Sequence, residues 1–173
     1  MMTPRRCLLH VATCCLVPII LSGCTTSSRP PDADAFTGNT GGCGDFFVFH
    51  TSSNGEWRLT VTVNRRKLPG AEIPQTLDLG TDANVVQVEM LRLGANPTQP
   101  CTCIAADPPT DRWKAIAGTL SITTQDAENP PIAEAYRVSV TLDDVELKHP
   151  ETGASSRLET VEITNIMVGW YAG

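Results

Sequence analysis

The sequence predicts an all-β protein: a single antiparallel β-sandwich of about seven strands with immunoglobulin-like character. Three observations carry the prediction. Apolar and polar residues alternate at period two in several segments, as they do in strands with one buried face. No window sustains a 3.6-residue apolar period over three turns. Thirteen glycines and 13 prolines punctuate the apolar segments, as the turns of all-β chains require. The Cys…Trp…Cys spacing of true immunoglobulin domains is absent, so the prediction concerns architecture and not family.

Taken in order, Asp45–Thr51 is apolar and aromatic or β-branched, with faces that the pattern leaves open. Trp57, Leu59, Val61 and Val63 then alternate with Arg58, Thr60, Thr62 and Asn64. Asn84–Leu93 is a second apolar run without a clear face. Ile116, Gly118, Leu120 and Ile122 alternate with Ala117, Thr119, Ser121 and Thr123, and Tyr136, Val138, Val140 and Leu142 follow the same rule. Leu142–Leu147 and Ile163–Val168 each place two polar residues where alternation expects one. The apolar phase resumes one residue late, which is what a β-bulge does, and bulged, bending strands suit sandwiches.

The chain opens differently. Arg5 and Arg6 precede an apolar stretch, Leu8 to Leu21, of 14 residues. That is the layout of a secretory signal and falls short of the roughly 20 residues of a membrane-spanning helix. Leu21-Ser22-Gly23-Cys24 ends the stretch, and residues 1–24 resemble the lipobox signal of bacterial lipoproteins. The resemblance implies cleavage before Cys24, which then carries a diacylglycerol thioether and an N-acyl chain, enough for durable attachment. An ordinary secretory signal with a cysteine at its cleavage site is the alternative. Arg5-Arg6 is also similar to a degenerate twin-arginine signal. Thr25 after the cysteine resembles members sorted to the outer membrane, should the cell have one. Residues 25–42 hold one aromatic and no apolar period, so they read as a flexible tether with a mean reach of about 23 Å. The expected organisation is a signal peptide over 1–23, lipidated cysteine and tether over 24–42, and a sandwich domain over 43–173.

Removing residues 1–23 takes away two arginines and no acid, leaving 11 Lys+Arg against 19 Asp+Glu, a net charge of −8. Nucleic-acid binding needs a concentrated basic face, and Arg65-Arg66-Lys67 is an isolated cluster that reads as a solvated strand end. Cys7, Cys14 and Cys15 leave with the signal and Cys24 is occupied by lipid, so Cys43, Cys101 and Cys103 remain. Disulfides persist outside the cytoplasm. Cys43 is therefore expected to pair with Cys101 or Cys103, leaving one thiol. The alternative is a copper(I) or zinc site made of Cys101, Cys103, Cys43 and His50, since soft thiolates suit those ions.

Two histidines follow Cys24, His50 at the end of an apolar strand and His149 before Pro150. Neither accompanies a Gly-x-Ser-x-Gly elbow or another nucleophile motif, so both read as surface or strand-end histidines. Asp143, Asp144 and Glu146 read as outward residues of the bulge, because calcium takes six to eight oxygens from several segments. Asp78 and Asp82 read as turn residues. Trp57 is in phase with a core face. Trp113 reads as packing at the start of its strand, with an exposed contact as the alternative, and Trp170 and Tyr171 are a further candidate contact surface, because aromatics dominate binding hot spots. The sequence thus leads to a non-enzymatic binding or scaffolding domain in the bacterial cell envelope, without cofactor. Its expected partners are the membrane, through the anchor, and an envelope protein or glycan. A thiol or metal role for Cys101 and Cys103 is the rival reading, and a hydrolase a weaker third.

Overall fold

A computed structural model describes residues 29–67, 74–97, 100–102, 107–126 and 135–169. Among them lie nine strands: β1 Thr40–Cys43, β2 Phe47–Thr51, β3 Trp57–Val63, β4 Gln75–Asp78, β5 Val86–Arg92, β6 Asp111–Asp126, β7 Tyr136–Lys148, β8 Ser155–Leu158 and β9 Val161–Val168. Every pairing is antiparallel. The all-β antiparallel class is what the alternation predicts. The count exceeds seven because β1, β4 and β8 are four residues each, too short to show a period.

The long β6–β7 hairpin organises the sandwich. Near its open end, Asp111–Lys114 of β6 pairs with β5, and Val145–Lys148 of β7 pairs with β8. Farther along, Asp78–Gln75 of β4 pairs with Thr119–Ile122, and β9 pairs with Tyr136–Leu142. The two strands therefore run through both layers, β1-β2-β3-β5 extending from one half and β4 and β9 flanking the other. The bend falls where the register of β6–β7 shifts, between Ala115 and Thr119. Asp144 there has φ 53°. A second shift, in β9 opposite Val138 and Val140, brackets Asn165 at φ 59°. Both bulges sit where the doubled polar residues place them.

One alternation breaks. Ile116 is 41% exposed although Leu120 and Ile122 are buried, because the β6 bulge at Ile116 reverses the phase that starts from Trp113. Gly118 has φ +115°, and a Cβ there would lie 2.7 Å from Val145 Cα and 2.8 Å from the Asp144 carbonyl. Only glycine supplies both the angle and the space, so this residue is a hinge and not a member of the apolar face.

The core fills the space between the layers. Val48, Leu59, Val61, Met90 and Trp113 meet Leu77, Leu120, Ile122, Val140, Leu142 and Ile163 in one buried cluster. Residues 29–42 contradict the expected tether. Pro30 and Phe36 are buried, Ala33 packs on the core, and a 3-10 turn spans Ala33–Ala35. Ser53 N–H donates to the Ala35 carbonyl at 2.8 Å and Gly38 N–H to that of Thr51 at 3.0 Å. The Thr-Gly-Gly-Cys run is strand β1, paired with β2. Its glycines serve close approach: a Cβ on Gly42 would lie 2.6 Å from Val168 Cγ1. Glycine content alone does not separate a flexible linker from such tight packing. Residues 1–28, which include the expected signal peptide and Cys24, lie outside the described residues.

Candidate functional site

Cys43 ends β1 and is bonded to Cys101, with Cα atoms 5.7 Å apart across a sequence separation of 58. Cys101 takes φ 73° to reach it. The expected disulfide thus forms with Cys101; Cys103 lies outside the described residues. Cys43 and Cys101 carry no free thiolate in this form, and His50 sits on the inner face of β2 with its ring 6.0 Å from that of Phe36. The alternative metal set is therefore not assembled among the described residues, which hold no cluster of three or more metal-ligating side chains.

Beside the disulfide opens a cleft of about 760 Å³, lined by Asp45, Phe47, Thr62, Asn64, Arg65, Arg66 and Thr102 among others. Its volume lies in the range of small-ligand sites. The β2–β3 pair supplies Phe47 and Thr62 as cross-strand partners, and a 3-10 turn at Arg65–Lys67 continues from β3. Arg65 lies over the Tyr136 ring, 4.4 Å from its centroid. The Tyr136 hydroxyl donates to the Asp45 carbonyl. Burial pushes the Tyr136 phenol above its ordinary value, against the opposing pull of Arg65. The cleft thus joins an aromatic wall to guanidinium, carboxylate, amide and hydroxyl groups on a cross-linked frame. Arg65 is a cation–π partner and not merely a solvated strand end. The sequence signal for this site is weak, since its lining comes from four separate stretches that only the disulfide, the β2–β3 ladder and the Gly44 N–H bond to the Gly169 carbonyl bring together.

His149 and Trp113 lie at the other end of β6 and β7. His149 Nε2 and Asp111 Oδ1 are 2.8 Å apart, both side chains buried. Its Nδ1 accepts the backbone N–H groups of Glu151 and Thr152 at 3.2 and 3.1 Å. A nitrogen that accepts twice carries no proton, so the proton is on Nε2 and points to Asp111. In a hydrolytic triad the carboxylate orients one ring nitrogen while the other faces the nucleophile; here the other nitrogen holds the β7–β8 turn. Trp113 is 2% exposed and stacks edge-on to His149 at 5.2 Å. That removes Trp113 from the contact surface: the first in-phase residue of β6 is core. Trp170 and Tyr171 lie outside the described residues, although Gly169, directly before them, lines the cleft.

His50 has one ring nitrogen hydrogen-bonded to the Gly38 backbone, while Nδ1 is buried without a partner among the described residues. Burial holds its ring below the ordinary histidine value, with the Gly38 bond pulling the other way. The acids behave as turn and bulge residues. Asp78 Oδ1 accepts from the N–H groups of Gly80 and Thr81, and Asp82 Oδ2 accepts from Asp78 N–H. Asp143 accepts from the Thr160 hydroxyl at 2.6 Å, and Asp144 pairs with Arg157. No family model, curated protein or solved structure matches this chain.

Proposed function

We propose that this chain is a lipid-anchored protein of the bacterial cell envelope whose sandwich binds or scaffolds a partner and does not catalyse a reaction. The observation that carries the reading is the Cys43–Cys101 disulfide. Structural disulfides belong to exported proteins, and this one agrees with the lipobox resemblance at Leu21–Cys24 on independent grounds. The non-catalytic part is supported by His149, both of whose nitrogens are committed to the turn and Asp111. The cleft at Phe47, Asn64, Arg66 and Gly169 is the binding surface of choice. It suits a polar group that takes hydrogen bonds and stacks on an aromatic face, as an envelope protein or glycan offers.

Two measurements test this. Cys24→Ala should abolish labelling by a fatty-acid analogue and partition into detergent; normal labelling of the variant sinks the lipoprotein reading. Arg66→Glu together with Phe47→Ala should reduce capture of partners from envelope extract about tenfold or more without changing anchoring. Thiol counting on the native protein separates the rival. One free thiol after Cys24 supports the structural disulfide, while three that become protected together on adding copper(I) or zinc support a thiol or metal function.

A further inference from the structure

Arg29 is exposed at the edge of the described chain, and Pro30 is already buried. Phe36 is buried and Ala33 packs on the core, while backbone hydrogen bonds from Ser53 and Gly38 pin the segment to the β2–β3 hairpin. The folded domain therefore includes residues 30–42 and does not begin at Cys43. From Cys24 to Arg29 the chain has five residue steps, which cannot exceed about 18 Å even fully extended. A domain of this size has a radius of gyration of about 14–15 Å, hence a diameter about twice that reach.

We propose that this short leash holds the sandwich flush against the bilayer, with the β6–β7 bulge and the β8 edge turned to the lipid headgroups. The inference rests on the acylation of Cys24 proposed above. The face follows from where the leash ends. Arg29 borders a hollow of about 680 Å³ together with Gly118, Thr119, Asp144, Glu146 and Arg157. Ile116, in the same bulge, is the exposed large apolar side chain among the described residues. Ile116 offers an apolar contact and Arg29 a cation for lipid phosphate, whereas Asp144 is tied to Arg157 and Glu146 opposes anionic lipid. Orientation thus comes from the covalent leash, not from affinity of the face, in keeping with a mature chain of net charge −8 that anionic headgroups repel. Tyr136, beside the cleft, stands eight residues along β7 from Asp144, up to about 26 Å away at strand spacing. The cleft is kept off the anchored face and open to partners.

The experiment uses the full-length chain in a Cys103→Ser background. An environment-sensitive fluorophore is placed at Ile116→Cys or Asn64→Cys, and the protein is reconstituted in phosphatidylethanolamine–phosphatidylglycerol vesicles containing a headgroup-nitroxide lipid. Quenching should be roughly threefold or more stronger at position 116 than at 64. Inserting about 20 Gly/Ser residues after Thr26 adds about 25 Å of mean reach and should level the two positions. Equal quenching in an acylated protein overturns the inference alone, as does a difference that survives the insertion. Failure to incorporate a fatty-acid analogue overturns the lipoprotein reading as well, so the two failures are told apart.

Discussion

His149 and His50 are both buried histidines, yet each does a different local job. His149 supplies a turn's missing acceptor with Nδ1 and donates an Nε2–H hydrogen bond to Asp111. Burial beside Phe36 pushes the His50 ring below its ordinary value, against the opposing pull of the Gly38 bond. The sign of its pH effect follows. With the folded value below the ordinary one of about 6.5, the unfolded state binds more protons over the interval between the two. Stability therefore rises with pH across that interval and is lost as pH falls through it. The melting temperature should drop between pH 7 and pH 5, and His50→Gln should flatten that part of the curve relative to the parent. An unchanged slope in the variant would place the pH dependence elsewhere. The sequence read both as surface or strand-end histidines, whereas both are buried; Asp111, 38 positions before His149, carries no local signal and is found only through the β6–β7 pairing.

Gly118 and the Thr-Gly-Gly of β1 show at the level of the element how one residue type serves opposite ends. Gly118 lets β6 pass from the first layer to the second; Gly118→Ala meets the backbone of Asp144 and Val145 at a positive φ. It should cost at least about 1–3 kcal/mol, read as a fall in the denaturant midpoint. The doubled polar residues at Asp143-Asp144 and Thr164-Asn165 announced their bulges, because an extra polar residue must leave the apolar face. The Ile116 bulge announced nothing, because Ala115, Ile116 and Ala117 are all apolar and the phase reversal is invisible among them. At the N terminus, a fragment beginning at residue 43 loses Pro30, Phe36 and most of β1. It should melt well below a fragment beginning at residue 29, since burial of one large apolar side chain is worth about 1.5–3 kcal/mol. Equal melting temperatures would mean that residues 29–42 are a tether after all.

The whole molecule is a sandwich whose first strand is stapled to a distant loop. Closing a loop of this separation, 58 residues, is worth about 4 kcal/mol in the chain-entropy model. Cys43→Ser and Cys101→Ser should each lower the melting temperature by on the order of 10 °C, while Cys103→Ser should leave it nearly unchanged. A silent Cys43→Ser together with an alkylatable Cys43 thiol in the native protein would remove the disulfide and the argument for export that rests on it. Strand class, most of the core faces and two bulges were determined by the sequence alone, because each is set by neighbours two to six residues apart; a disulfide at Cys43 was expected from the cysteines that remain after an export signal. Only the tertiary structure decided that Cys101 is the partner, that Trp113 and Phe36 are interior, and that a glycine-rich leader is a strand. Those outcomes depend on which surfaces approach one another across tens of residues, and a linear pattern does not encode that distance.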